Sequence, residues 1–150
     1  MIYREVQQDL FSVPKDYCLA HCISADFKLG AGIAVEFNKR FNCKQELYKL
    51  FPATWISYWD GTQEKFRGTC KRTGRVFNLI TKRNYWNKPT LLTIRNALIV
   101  MKKLCLNNQI NKVAMPKIGC GLDKCNFDDV RKIIKDVFAN VDMEILICYK

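Results

Sequence analysis

The chain offers little to a metal ion. Its only histidine is His21, and none of its eight cysteines (Cys18, Cys22, Cys43, Cys70, Cys105, Cys120, Cys125, Cys148) forms a Cys-x-x-Cys pair. A His-rich or paired-cysteine metal site is therefore excluded, and neither metal nor cofactor is expected. Most of the cysteines fall inside apolar segments, where a reduced thiol behaves as a small hydrophobe. They read as structural thiols of a reducing compartment, not as a disulfide framework. There is no long apolar run and no signal-peptide pattern, so the expectation is residence in the cytosol or nucleus, away from membranes. The absence of GxGxxG and of a P-loop lysine motif argues against a dinucleotide dehydrogenase and an ordinary NTPase. Acidic residues are also scarce: 14 Asp and Glu stand against 25 Lys and Arg, a net charge of +11. That balance suits acidic partners such as nucleic acid, nucleotides or phosphorylated polymers, with plain solubility an equal reading.

What is present is the composition of a soluble globular chain. With 150 residues, 49% of them hydrophobic, it can bury a real core as one domain over 1–150. Period-two or continuous apolar runs predict strands over 2–6, 17–23, 75–81 and 111–114, and a closing strand over 143–149. The middle suggests strands over 54–59 and 65–73, with turns at Asp60-Gly61 and Thr73-Gly74. A first helix follows Gly30-Ala31-Gly32, with Ile33, Phe37 and Phe41 on one face. A long helix takes Pro89 in its first turn, buries Leu91, Ile94, Leu98, Met101 and Cys105, and stops at Asn107-Asn108. The last helix starts from an Asn126 cap and buries Val130, Ile133, Ile134, Val137 and Phe138. Strands interleaved with helices predict an α/β layered domain with a mixed sheet.

Two Gly-x-Gly loops stand out, Gly30-Ala31-Gly32 and Gly119-Cys120-Gly121, each between an expected strand and an expected helix. Such loops can turn backbone amides toward an anion beyond the carboxyl ends of the strands. One alone is equally a plain tight turn. Two on a small α/β domain suggest a ligand with two phosphates, gripped from both sides.

Four blocks, in order, resemble a macrodomain: Asp9-Leu10-Phe11; Ala20-His21-Cys22-Ile23-Ser24 continuing to Gly30-Ala31-Gly32-Ile33-Ala34; Leu79-Ile80-Thr81-Lys82; and Met115 to Asp123. Within that family the chain is most similar to the branch typified by the terminal ADP-ribose protein glycohydrolase. The resemblance implies a three-layer α/β/α fold with a central mixed sheet, and a cleft for ADP-ribose across the strand ends. It implies that Asp9 and the Leu10 amide meet adenine. Ser24 and Gly30, Ala31, Gly32 and Ile33 would line the distal ribose and one phosphate. Gly119, Cys120, Gly121 and Leu122 would wrap the diphosphate. It further implies a catalytic pair, Lys82 as nucleophile toward the anomeric carbon and Asp123 assisting. His21 reads as a core residue.

The implied partners are ADP-ribose, ADP-ribosylated protein and, through the basic surface, ADP-ribosylated DNA or other nucleic acid, with the protein a monomer. A reader module that binds ADP-ribose without turnover, or a basic nucleic-acid-binding protein, are the alternatives. Gln8 stands where relatives commonly carry glycine, and the paired asparagines of many hydrolytic macrodomains are absent from the 20–24 region, which speaks against their water-activating route. The span 48–74 departs from the family; its Trp55, Tyr58, Trp59 and Phe66 among Lys65, Arg67, Lys71, Arg72 and the adjoining Arg75 suit either a hairpin against the core or a nucleic-acid surface.

Overall fold

The computed structural model describes residues 1–51, 66–121 and 123–150. The strand expected over 54–59, the Asp60-Gly61 turn, Trp55, Tyr58, Trp59, Lys65 and Leu122 lie outside those residues. The elements run β1 (Ile2–Gln7), a 3-10 turn (Leu10–Ser12), β2 (Cys18–Ser24), α1 (Ile33–Phe41), α2 (Cys43–Leu50), β3 (Thr69–Thr73), β4 (Val76–Lys82), α3 (Leu91–Asn107), β5 (Lys112–Met115), α4 (Phe127–Val137) and β6 (Glu144–Tyr149).

The strands form one sheet in the order β1-β6-β5-β2-β4-β3. All neighbours are parallel except β3, which returns antiparallel along β4 through the Thr73-Gly74 turn. Parallel strands need covering on both faces, and both are covered. On one face α3 and α4 bring Ile94, Leu98, Met101, Val130 and Ile134 against Ala20, Phe77, Leu79, Val113 and Ile145. On the other, α1 and α2 bring Phe37 and Leu47 against Leu19, Ile23, Val76, Ile80 and Leu146. The result is the expected three-layer α/β/α domain with a mixed sheet.

His21 sits wholly buried between α1 and the sheet, its ring stacked on Phe37 at 3.9 Å. The Asn78 amide nitrogen donates to the Lys71 carbonyl and to Thr73 Oγ1, so its oxygen faces His21 Nε2 at 2.7 Å and Nε2 carries the proton. Burial pulls the imidazole pKa down to about 4, leaving it neutral. It is a core histidine, as expected.

Several sequence expectations shift. Pro89 precedes the long helix: Thr90 is the N-cap, in a reciprocal capping box with Thr93. Leu91, assigned to the buried stripe, is 42% exposed. The strand expected over 65–73 begins only at Thr69; just before it Gly68 has φ 92° and Asn96 on α3 donates to the Arg67 carbonyl. Leu146 and Cys148 are buried along with Ile145 and Ile147, since β6 is an interior strand with helices on both sides. In the basic middle span, Phe66 is buried and the Lys71 ammonium lies over the Phe51 ring. Arg75 donates to the carbonyls of Tyr17 (2.7 Å) and Pro14 (3.0 Å). All eight cysteines are free thiols.

Candidate functional site

The carboxyl ends of β2, β4 and β5 open onto a cavity of about 810 Å³. The 25–32 loop and the start of α1 form one wall, and the 116–123 loop faces it. A second compartment of about 520 Å³ adjoins it and is lined by Asp9, Leu10, Phe11, Arg40 and Tyr149. Ile33, Pro116 and Lys117 line both, so the two form one continuous cleft. The outline fits an elongated ligand with its ends in different compartments.

Two glycines make the walls possible. Gly32 is the N-cap of α1 at φ 62°, ψ −150°, a backbone region essentially reserved for glycine. No side chain caps this helix, and its first residues, Gly32, Ile33 and Ala34, line the cavity. Gly119 has φ +75°, and a Cβ there would meet Ile94 Cδ1 at 3.0 Å and Cys125 Sγ at 3.7 Å. Its carbonyl accepts from the Cys125 amide at 2.7 Å, which closes the loop back on itself.

That closure presents Asp123 to Lys82. The β2–β4 register slips by one residue between Ile23 and Ser24, so Ser24 comes level with Lys82 instead of Thr81. Such a bulge re-aims a side chain at the end of a strand. Lys82 Nζ then lies 2.8 Å from Asp123 Oδ1, with side chains only 15% and 16% exposed. An amine and a carboxylate, both largely buried, are thus in direct contact with no water between them.

Of the residues expected at a ligand site, Ser24, Gly30, Ala31, Gly32, Ile33, Gly119, Gly121, Lys82 and Asp123 all line the main cavity. Asp9 and Leu10 line the adjoining one. Asp9 Oδ1 accepts the Phe11 amide at 3.1 Å, which fixes the carboxylate at the compartment's edge. Cys120 sits between the cavity-lining Gly119 and Gly121, and its thiol donates to the Ile118 carbonyl at 3.3 Å.

Sequence reading overlooked several residues. Lys28, Tyr85, Trp86, Asn87 and Lys88 also line the cavity. Asp26 joins the two loops that carry them: its Oδ1 accepts from Ser24 Oγ (2.5 Å) and the Lys28 amide (3.1 Å). Its Oδ2 accepts from the Tyr85 amide at 2.8 Å. The sequence signal was available. Adjacent large aromatics, Tyr85-Trp86, flanked by asparagines between a strand end and Pro89, belong neither to a strand nor to an amphipathic helix.

No family model matches the chain. Over 146 residues, however, it is 40% identical to the ADP-ribose glycohydrolase OARD1 of Homo sapiens, covering 95% of this chain and 88% of that protein. Among solved structures, the macrodomain of Thermus aquaticus DarG superposes with a TM-score of 0.80 over 99% of both chains, at 18% identity. Thermosipho africanus DarTG, solved in complex with ADP-ribose, superposes with a TM-score of 0.70 at 17% identity, over 98% of this chain and 41% of that one.

Proposed function

Because the chain belongs to the macrodomain family, in its ADP-ribose glycohydrolase branch, we propose that it binds ADP-ribose in the two-compartment cleft and cleaves mono-ADP-ribose from modified macromolecules. Adenine enters the compartment beside Asp9, the diphosphate passes between the two glycine loops, and the distal ribose reaches Lys82. The observation that carries the reading is the Lys82–Asp123 contact, 2.8 Å long and sheltered, in the wall of the larger cavity.

The chemistry requires the amine to be neutral when it attacks. The proton of the Lys82 ammonium passes along the hydrogen bond to Asp123, in a cleft from which the bound ligand has displaced water. The nitrogen then attacks the anomeric carbon of the distal ribose, and the acyl carboxylate departs with the bonding pair. Opening of the ribose ring leaves a Schiff base between that carbon and Lys82. Water adds to the imine carbon, the amine leaves, and Asp123 returns the proton. ADP-ribose and the regenerated lysine are the products.

The test is direct. The protein is incubated with a substrate bearing ADP-ribose on glutamate, and free ADP-ribose is measured. Release by the wild type and none by Lys82→Ala, with ADP-ribose binding retained by the variant, is the expected result. Wild-type binding without any release would make the protein a reader of ADP-ribose.

A further inference from the structure

We infer that Asp26 is a positioning residue for the ligand: it takes up the hydrogen of the Ser24 hydroxyl, so that Ser24 meets the ligand only as an acceptor and selects a secondary hydroxyl of the distal ribose. The inference rests on the glycohydrolase reading above and assigns a selective contact within its site.

A serine hydroxyl has one hydrogen to donate and two lone pairs with which to accept. Ser24 donates its hydrogen to Asp26 Oδ1 at 2.5 Å, a bond strengthened by the charge of the carboxylate. That carboxylate is itself held, because Oδ1 also accepts the Lys28 amide at 3.1 Å and Oδ2 the Tyr85 amide at 2.8 Å. The turn that folds Asp26 back over Ser24 is closed by the Phe27 amide, which donates to the Ser24 carbonyl at 3.1 Å. Phe27 has φ 55° there with its side chain fully buried, a backbone region that bulky residues rarely enter. Such a conformation persists only where the surroundings enforce it, and it clusters at ligand sites. The hydroxyl is therefore not free to turn its hydrogen toward the cavity.

Ser24 is only 5% exposed, yet it lines the main cavity. The bulge in β2 brings it level with Lys82, and the next amide, that of Ala25, donates to the Lys82 carbonyl at 2.9 Å. A ligand atom facing Ser24 must bring a hydrogen of its own. A phosphate oxygen brings none, and it would also face the negative charge of Asp26 behind the serine. A ribose hydroxyl brings one. Ser24 thus serves the sugar and not a phosphate, which fixes the direction in which the ligand lies along the cavity. Because Ser24 and Lys82 are neighbours across two strands, the same contact sets how the distal ribose is turned toward the amine.

Calorimetry decides it, with ADP-ribose and two analogues that each lack one secondary hydroxyl of the distal ribose. The wild type should bind one of the analogues about tenfold more weakly than ADP-ribose, as expected when a buried acceptor is left unpaired. The readout is that ratio of affinities, which a merely structural role would not move. Ser24→Ala should bring the ratio close to one, by weakening ADP-ribose and not the analogue. Asp26→Asn keeps an acceptor for Ser24 without the charge, and should lower the ratio partway. A ratio kept in Ser24→Ala, with ADP-ribose and the analogue weakened alike, would overturn the inference. So would a full ratio in Asp26→Asn, or a wild type that binds both analogues as tightly as ADP-ribose. Each of these leaves the glycohydrolase reading intact. A wild type that binds no ADP-ribose would remove that reading, and this inference with it.

Discussion

Asp26 Oδ2 accepts the backbone N–H of Tyr85 at 2.8 Å, joining two loops that are 59 residues apart in sequence. The same carboxylate accepts the Ser24 hydroxyl and the Lys28 amide through Oδ1. One residue outside the cavity lining thus holds two sections of its wall in register. Asp26→Ala should cost about 1–3 kcal/mol in urea unfolding, through unpaired donors and lost charge-assisted bonds. ADP-ribose binding should weaken in calorimetry because the walls are no longer preorganised. Asp26→Asn, which keeps an acceptor oxygen, should fall between the two. Wild-type stability and affinity in the alanine variant would show that the loops hold themselves.

A lysine route makes a demand that a water route does not. Borohydride added during turnover should reduce the imine and leave ADP-ribose on Lys82, located by mass spectrometry of the digested protein. Asp123→Ala should lose turnover as well, since it removes the carboxylate that lies 2.8 Å from the attacking amine. Full activity in Lys82→Ala would remove the mechanism.

The two glycines of the second loop should respond differently to alanine. Gly119→Ala forces a Cβ into an unfavourable backbone conformation and against Ile94, so stability should fall by more than about 1 kcal/mol in thermal unfolding. At Gly121 an added Cβ would meet no other atom within 4 Å, so Gly121→Ala should fold normally. Because Gly121 lines the cavity, its new methyl group should still weaken ADP-ribose binding. Unchanged affinity in Gly121→Ala would mean the ligand does not approach that backbone.

The buried histidine sets a pH dependence of stability. Its folded pKa of about 4 lies below the ordinary 6.5, so between these values the unfolded chain takes up a proton that the folded one refuses. Stability is fully present above about pH 6.5 and declines as pH falls toward 4, by about 2 kcal/mol between pH 7 and pH 5. Glu5, held below the usual carboxylate range by its hydrogen bond to Arg131, adds a loss only at lower pH. His21→Gln should be less stable at neutral pH, yet its melting temperature should change little from pH 7 to pH 5. A wild-type slope retained in that variant would place the titration elsewhere.

Much of this protein was settled by sequence alone. Apolar periodicity located the described strands and helices to within a few residues, because each element is read from neighbours close along the chain; α2 (Cys43–Leu50) is the exception, a helix the sequence reading did not expect. Asn126 announced the start of α4, and the two Gly-x-Gly loops announced where backbone could approach a ligand. Tertiary structure decided what depended on distant partners. Thr90, not Pro89, begins α3, since a side chain closing on Thr93 outweighs the proline's preset φ. Leu91 stays exposed and Leu146 becomes buried, because helical and strand period cannot say how many faces the neighbours cover. Lys82 meets Asp123 only through a one-residue slip between β2 and β4 and a loop closed at Gly119, and periodicity encodes neither. Asp26 gives no local sign of its role, because its partner, the Tyr85 amide, is brought to it by the sheet.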